Sequence, residues 1–420
     1  MRANGASKAR HERNAPHRVV ITGIGSVSSL GVGARLMWSK MMASVCGIRP
    51  TRVTSGGLEA IFPAAQVADY DPLEHFTADE LVWRDPYAQY AVVAAREAMA
   101  DAGLKAGYGD PSELAVILGS GGGGEHARED AAVRLFVDRK LRLNPVLVPK
   151  TNLQASVGFI SIEFGATGPS FIVSTGCAAA THAVAQAFLV VRHGLAKRAI
   201  TGGSEAPVMI SVLQAFQAAQ VLSTTTCRPF SRDRDGMTLA EGAGVVVLES
   251  LESARERGAH IYAELAGVGM SADAKNSVHP AERGPAQALR IALDSARIRP
   301  EEVAYINAHG TGTKINDRVE TAAVKMAFGD HARKLAISST KSMHGHAFGG
   351  VGGIELVATL LAMENDVAPP TINYLGEDDD CDLDYVPNEP QPRPIGTAIS
   401  QSFAFGGLNA VVVLKRDIEL

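Results

Sequence analysis

The sequence has few cysteines and lacks the motifs that would give them a structural role. Its 420 residues include four, Cys46, Cys177, Cys227 and Cys381, and none belongs to a CxxC or CxxH pair. This spacing argues against a disulfide framework and against a zinc site. We therefore expect a reducing, cytoplasmic environment.

Long apolar runs and clusters of positive charge are also absent. No stretch of about 18 apolar residues occurs, so no integral membrane segment is expected. The formal net charge is -5, and no dense lysine and arginine cluster indicates a nucleic-acid partner. Residues 1–16 are basic and polar without the apolar core of a secretory signal, and we interpret them as a disordered arm.

The order of the predicted elements repeats along the chain. In the first half, strands at 18–25, 114–118 and 170–174 alternate with helices at 85–102 and 178–192. The second half repeats this order, and each half ends in a hairpin-like pair of strands. We therefore predict a duplicated α/β fold, with halves at 17–260 and 261–420 and mostly parallel sheets covered by helices on both faces.

Cys177 is the candidate nucleophile. It lies in STGCAAATHA, between a predicted strand and a predicted helix. A helix N-terminus lowers the pKa of a thiol, and the nearby backbone N–H groups can hold an oxyanion. The alternative is a buried structural cysteine, which is our interpretation of the other three. The duplication also brings residues 344–346 opposite Cys177, because both segments lie between a strand and a helix.

Two histidines could assist this nucleophile. His309 follows a predicted strand in NAHGTGT, and His346 lies in the glycine-rich turn STKSMHGH. Either histidine alone could be a core or surface residue, but with Cys177 they form a nucleophile with two adjacent donors. We interpret the neighbouring His344 as structural.

Lys341 and Glu355 are charged residues that frame the apolar stretch around His346. An unpaired buried charge would be costly, so we expect an ion pair that braces the site, with a solvated face as the alternative. Farther along the chain, residues 404–407 have the sequence AFGG. The two glycines would let this loop move, so that Phe405 could block or open a passage to the substrate.

Two other glycine-rich segments do not indicate nucleotide cofactors. GIGSVSSLGVG follows the first strand, but no acidic residue ends a second strand about 20 residues on, as dinucleotide binding requires. GSGGGG is not followed by the GK[ST] of a phosphate-binding loop. We therefore predict neither cofactor.

Together these motifs resemble those of elongating β-ketoacyl-acyl carrier protein synthases of the thiolase-like superfamily, including specialised members of the nodulation or polyketide kind. STGCAAATHA is similar to the nucleophile segment, PFSRDRDGMTLAEGAG to the central loop, NAHGTGT and KSMHGH to the histidine segments, and SFAFGG to the gating loop. The resemblance covers about residues 18–416. It implies a five-layered αβαβα fold and a homodimer or ketosynthase heterodimer. It also implies no resident cofactor, since phosphopantetheine arrives on an acyl carrier protein.

The resemblance further implies an acyltransferase that performs a decarboxylative Claisen condensation, in fatty-acid or specialised acyl and polyketide chain elongation. Cys177 would take the acyl group from the carrier protein. His309 and His346 would assist decarboxylation of a malonyl thioester and hold its enolate oxygen. Lys341, paired with Glu355, would support the two histidines.

The substrate-binding residues follow from the same resemblance. Backbone N–H groups of Cys177 and Phe405 would form the oxyanion hole, and Gly406 belongs to the gating loop. Thr311 and Thr313 match residues expected to contact the pantetheine arm.

Two small or aliphatic residues match positions of the acyl pocket. Gly122 stands where relatives carry a bulkier aliphatic residue, and Leu147 where a phenylalanine can close the pocket. Less bulk should lengthen an apolar cavity, in which each buried CH₂ contributes about 0.8 kcal/mol. The resemblance therefore implies long or unusual acyl chains.

The sequence departs from the family pattern at a carrier-docking position and just after the gating loop. Gln220 replaces an arginine that housekeeping synthases tend to carry, and Leu408 turns GGTN into GGLN. Arg84 and the basic segment 139–142 remain to meet an acidic carrier protein. We therefore expect a dedicated carrier protein.

Two other functions remain as alternatives. One is a ketosynthase subunit that shapes chain length as a heterodimer partner, and the other is a thiolase that uses free coenzyme A. The resemblance favours carrier-bound malonyl donors, because thiolases pair the nucleophile with a second cysteine and chain-initiating synthases use histidine and asparagine. Cys177 also counts against a non-catalytic partner.

Overall fold

The first half of the chain contains one large sheet with helices around it. The computed structural model describes residues 16–416, so residues 1–15 of the predicted arm lie outside the described residues. The strands of this half are β1 (Val19–Ser28), β2 (Gly31–Val32), β3 (Arg49–Ser55), β4 (Leu58–Ala64), β5 (Leu114–Gly119), β6 (Ser170–Val173), β7 (Arg198–Glu205) and β8 (Gly242–Ser250). The helices are α1 (Ala34–Met42), α2 (Ala78–Trp83), α3 (Pro86–Asp101), α4 (Glu125–Ala132), α5 (Leu147–Thr151), α6 (Ala155–Phe164), α7 (Ala179–Arg192), α8 (Ile210–Ala218) and α9 (Leu251–Glu256).

The second half contains the corresponding sheet. Its strands are β9 (Ala263–Ala272), β10 (Tyr305–Asn307), β11 (Ala336–Ser338), β12 (Val367–Ala368), β13 (Gln391–Pro392), β14 (Thr397–Ala404) and β15 (Leu408–Lys415). Its helices are α10 (Arg283–Ala296), α11 (Lys314–Phe328), α12 (Lys341–His344) and α13 (Val351–Asn365).

The two sheets have the same strand order and the same directions. The order is β6-β5-β7-β8-β1 in the first half and β11-β10-β14-β15-β9 in the second, and β1 pairs with β9 where the halves meet. In each half the first three strands of this order are parallel. The last two pairings, through β8 or β15, are antiparallel. The matching order confirms the predicted duplication.

The antiparallel pair predicted at the end of each half is confirmed. The prediction of mostly parallel sheets was wrong, because β1 and β9 are antiparallel to β8 and β15 as well. In the second half β14 and β15 form a hairpin from Thr397 to Lys415. In the first half β7 and β8 pair in the same way but are joined by a longer connection that contains α8. Both sheets are therefore mixed.

Helices and sheets alternate in five layers. Helices α3 and α6 cover the outer face of the first sheet, and α10 and α11 pack on the second. Between the sheets, α7 and α13 contact each other and both sheets. All residues of β1 and β8 are buried, as expected for strands covered on both faces. The layers confirm the predicted αβαβα fold.

Within residues 16–416 no helix is long and apolar enough to cross a bilayer.

Candidate active site

Cys177 lies at the turn between β6 and α7. Residues Gly176–Ala178 form a single 3₁₀ turn, and Cys177 is 6% exposed. The helix begins close against the sheet, since a Cβ on Gly119 would lie 2.2 Å from the backbone nitrogen of Ala180. The lack of a side chain at Gly119, at the end of β5, therefore lets the central helix start close to the sheet, with Cys177 at its first turn.

Burial raises the pKa of the Cys177 thiol to about 11, and the nearby Lys341 ammonium lowers it by a smaller amount. The loss of water around the sulfur thus outweighs the favourable interactions that lower this pKa. The resting nucleophile is therefore a thiol, and its proton must leave as the sulfur reacts.

His309 and His346 form an edge-to-face pair. Their ring centroids are 5.6 Å apart, and the ring planes meet at 88°. Both residues are buried, and Nδ1 of His309 and both ring nitrogens of His346 have no hydrogen-bond partner among residues 16–416. Burial, together with the Lys341 charge, lowers the pKa of both histidines well below the ordinary value. Both imidazoles are neutral at pH 7, and each can offer one N–H to a ligand.

Lys341 connects the His309 loop to the central helix α13. Its Nζ donates to the backbone carbonyl of His309 and to the carboxylate of Glu355, and both charged side chains are fully buried. Burial raises the pKa of Glu355 more than the Lys341 charge lowers it. The ammonium fixes the backbone position of His309 from behind and does not compete for its ring nitrogens.

His344 is held within its own loop. Its Nδ1 lies 2.8 Å from the carbonyl of Gly345, and its Nε2 lies 3.0 Å from Oγ1 of Thr340. Burial lowers the pKa of His344 to about 3. Because both ring nitrogens have partners within the loop, His344 has no free ring nitrogen to offer a substrate.

Cys177 borders two cavities. The first, of about 250 Å³, brings together most of the predicted site residues: Cys177, His309, Thr311, Thr313, His346, Phe405 and Gly406. Gln220, which is exposed, also lines it. A thiol, two imidazoles and two threonine hydroxyls thus converge on one passage that reaches the surface.

The second cavity, of about 330 Å³, is also bordered by Cys177 and is lined by Gly122. Phe405 lines both cavities. It lies in the turn between β14 and β15, and the next two residues, Gly406 and Gly407, have φ of 86° and 70°. These left-handed conformations favour glycine and set the position of Phe405 between the two spaces.

Comparison with known proteins identifies the family. Residues 17–254 match the N-terminal domain of beta-ketoacyl synthases, and residues 262–375 match the C-terminal domain. The chain belongs to the beta-ketoacyl synthase family. This membership confirms the predicted family and the predicted enzyme class, a condensing acyltransferase.

Individual relatives in this family share almost the whole chain. Nodulation protein E of Rhizobium sp. (strain N33) is 44% identical over 401 residues, which are 95% of this chain and 99% of that protein. The 3-oxoacyl-[acyl-carrier-protein] synthase 2 of Staphylococcus aureus (strain COL) is 41% identical over 407 residues, which are 95% and 98% of the two chains. The solved ishigamide ketosynthase/chain length factor is 35% identical, with a TM-score of 0.90 over 96% of this chain and 100% of that chain.

The two residues predicted for the acyl pocket of this ketosynthase lie in different environments. A Cβ on Gly122 would lie 2.8 Å from Cγ of Glu125, so the space beside this glycine is already occupied. Gly122 lines the second cavity beside this carboxylate. Leu147 lies in α5 and is not among the residues that line either cavity.

The basic residues expected to meet a carrier protein have different environments. Arg84 is buried, with its guanidinium over the rings of Phe76 and Phe159 and paired with Glu80 at 3.2 Å. It is therefore not a surface contact. Residues 139–142 are exposed.

Sequence reasoning missed the buried carboxylate that holds the His309 loop. Glu320 in α11 accepts hydrogen bonds from the backbone N–H groups of His309, at 2.6 Å, and Gly310, at 2.7 Å. Burial raises the pKa of Glu320 to about 7. Asp317 and Glu320, three residues apart at the start of the helix that follows NAHGTGT, were the signal that could have revealed it.

A second missed carboxylate, Glu205, holds the turn that carries Gly122. It accepts hydrogen bonds from the N–H groups of residues 121–123 and from Oγ of Ser120. Burial raises the pKa of Glu205 to about 7.

Among residues 16–416 no group of three or more His, Cys, Asp or Glu side chains could hold a metal ion.

Proposed function

We propose that this protein is a 3-oxoacyl-[acyl-carrier-protein] synthase that elongates an acyl group held on Cys177. The observation that carries the proposal is the pair of neutral imidazoles, His309 and His346, whose buried nitrogens without partners line the same cavity as the thiol. Such nitrogens cost free energy unless a ligand uses them. An enolate oxygen would accept a hydrogen bond from each.

In the first step Cys177 receives the acyl group. Its sulfur attacks the acyl carbon of the incoming thioester, the new C–S bond forms, and the bond to the pantetheine sulfur breaks. The thiol proton ends on that pantetheine sulfur. Backbone N–H groups of Cys177 and Phe405 would stabilise the oxyanion of the tetrahedral intermediate.

In the second step a malonyl thioester occupies the first cavity. The bond to its carboxylate breaks, CO₂ leaves, and the electron pair forms an enolate whose oxygen accepts hydrogen bonds from His309 and His346. The enolate carbon attacks the acyl carbon on Cys177. The C–S bond then breaks, and the released thiolate takes a proton from solvent.

The first cavity suits the pantetheine arm of an acyl carrier protein. Thr311 and Thr313 border it, with their hydroxyl oxygens 3.0 Å apart. Phosphopantetheine would thus arrive on the carrier protein, and the enzyme would need no resident cofactor. The exposed basic segment 139–142 supports contact with an acidic carrier protein, and the exposed Gln220, in place of an arginine, supports a dedicated one.

A dimer is supported by the exposed edge of the first sheet. Strand β6 pairs on one side only, with β5, and its Phe171 is 40% exposed. Ile162 on the adjacent α6 is 80% exposed. An exposed apolar edge strand favours pairing with another chain. We assign this edge to a second copy or to a ketosynthase-like partner; the similar ishigamide structure is a ketosynthase/chain length factor.

The similarity to nodulation protein E supports a specialised acyl pathway. All four cysteines are free within the described chain, which fits the reducing cytoplasm that we propose as its location.

Intact-protein mass spectrometry after incubation with an acyl carrier protein thioester tests the proposal. It predicts an acyl adduct that is absent from Cys177→Ala. No adduct with any acyl donor would contradict it and favour a partner subunit that only shapes chain length. Turnover with free coenzyme A thioesters, at rates equal to those with carrier-bound substrates, would favour a thiolase.

A further inference from the structure

The second cavity contains a carboxylate that the condensation does not use. Two acidic residues, Glu125 and Glu205, line this cavity. Glu205 is fully engaged with the turn at residues 120–123. Glu125, in the first turn of α4, instead accepts a hydrogen bond from Nη1 of Arg128. Glu125 is therefore a polar side chain on the wall of an acyl-sized space.

Arg128 holds Glu125 in place. Its Nη1 also donates to the carbonyl of Gly122 at 2.9 Å, and its Nη2 donates to the carbonyl of Thr151 at 2.7 Å. The guanidinium thus joins the turn at Gly122, the helix α4 and the end of α5. The side chain of Glu125 is 28% exposed and that of Arg128 is 44% exposed, so the pair borders both the cavity and solvent.

Gly122 and Glu125 share one space. A Cβ at residue 122 would lie 2.8 Å from Cγ and 3.2 Å from Oε1 of Glu125. A larger residue at 122 would therefore displace the carboxylate. Because residue 122 is glycine, the Glu125 carboxylate can lie at the cavity wall. An aliphatic side chain at residue 122 would place hydrocarbon there instead.

The remaining wall of this cavity is mainly apolar. Phe216 and Phe348 meet edge to face with ring centroids 4.7 Å apart, and Val212 and Phe405 complete the wall near Cys177. Methylene groups of an acyl chain would pack against these side chains. The end of a longer chain would meet Glu125.

From these contacts, and resting on the proposed function, we infer that Glu125 selects the acyl group by its distal end. A chain that reaches Gly122 is accepted when that end donates a hydrogen bond, as a hydroxyl does, and is disfavoured when it is a methyl group. A methyl group would displace water from the carboxylate without replacing its hydrogen bonds, whereas a hydroxyl replaces them. Sites that hydrogen-bond a substrate hydroxyl discriminate strongly against analogues that lack it.

Acylation of Cys177 by phosphopantetheine thioesters of increasing length tests this inference. Each length is offered as a pair, one thioester with a terminal methyl group and one with a terminal hydroxyl group. Mass spectrometry gives the ratio of the two loading rates. The proteins are the wild type, Glu125→Leu, Glu125→Gln and, as a matched control, Asp130→Leu, which alters an exposed acidic residue of the same helix.

Short chains should load alike in all four proteins. Above the length that reaches Gly122, the wild type, Glu125→Gln and Asp130→Leu should prefer the hydroxyl chain by about tenfold or more, and Glu125→Leu should prefer the methyl chain. An unchanged ratio in Glu125→Leu would overturn the inference. Glu125→Ala provides a second test if the leucine variant does not fold. Absence of any adduct, even on the wild type, would instead count against the proposed function.

Discussion

His309 and His346 present their rings edge to face, 5.6 Å between centroids, on the cavity that Cys177 borders. Burial keeps both imidazoles neutral, and the Lys341 charge acts in the same direction. A neutral imidazole can donate one hydrogen bond to an oxygen that becomes negative during the reaction. The geometry therefore suits stabilisation of an enolate better than transfer of protons by imidazolium groups.

Replacing either histidine should separate the two steps of the reaction. In His309→Ala and His346→Ala, condensation should slow by roughly 10²- to 10⁴-fold, while acylation of Cys177 stays within about tenfold of the wild type. Single-turnover assays with preacylated enzyme measure each step. His344→Gln is the control, because the imidazole of His344 bonds only within its own loop. Loss of acylation as complete as in Cys177→Ala would contradict this division of roles.

The rate at which Cys177 is alkylated should rise only at high pH. Since burial raises the pKa of its thiol to about 11, alkylation by iodoacetamide should still be increasing at pH 9. The rate is followed by mass spectrometry of the peptide that contains Cys177, with denatured protein as the reference. An apparent pKa below the ordinary thiol value would show instead that the helix N-terminus dominates.

The pair formed by Lys341 and Glu355 should matter for stability and for activity in different ways. Lys341→Met leaves the Glu355 carboxylate buried without its partner and should lower the free energy of unfolding by about 3–5 kcal/mol. Adding Glu355→Leu should restore part of that loss, measured by urea unfolding. Condensation should stay slow in the double variant, because the His309 carbonyl has lost its donor. Recovery of full activity would contradict the positioning role of Lys341.

His344 should make the protein less stable in acid. Its pKa is about 3 in the fold and near 6.5 when unfolded, so the unfolded chain binds more protons between these values. Its stabilising effect is complete above about pH 6.5 and is lost as the pH falls toward 3. At pH 5 the loss should be about 2 kcal/mol, and His344→Gln should lack it. A difference in unfolding free energy between the two proteins that does not vary with pH would contradict this.

Much of the site could be predicted from local sequence. Cys177 and His346 each lie at a turn between a strand and a long helix, and the repeated order of elements indicated that the two turns correspond. The structure bears out that order, since β6 and α7 correspond to β11 and α13. The antiparallel pair that ends each half was predicted as hairpin-like, and β7–β8 and β14–β15 pair in this way. The antiparallel placement of β1 beside β8 and of β9 beside β15 could not be predicted, because the apolar pattern of a strand does not reveal which strand it pairs with.

The features that sequence reasoning missed depend on contacts between distant segments. The pKa of Cys177 depends on how deeply the fold buries the thiol, which the local STGCAAATHA pattern does not contain. The contact between Gly122 and Glu125 depends on the position of α4, which brings the Glu125 side chain against the glycine. Glu320 was missed for a related reason: its spacing from Asp317 was a local signal, but its contacts with the His309 loop form only when α11 folds back on that loop.

The most direct test of the proposed condensation is a two-step single turnover. Enzyme acylated on Cys177 is separated from free thioester and then mixed with a malonyl thioester of the acyl carrier protein. The account predicts loss of the Cys177 adduct, release of one CO₂ and formation of a 3-oxoacyl product two carbons longer than the acyl group. Retention of the adduct, with no extended product and no CO₂, would contradict it.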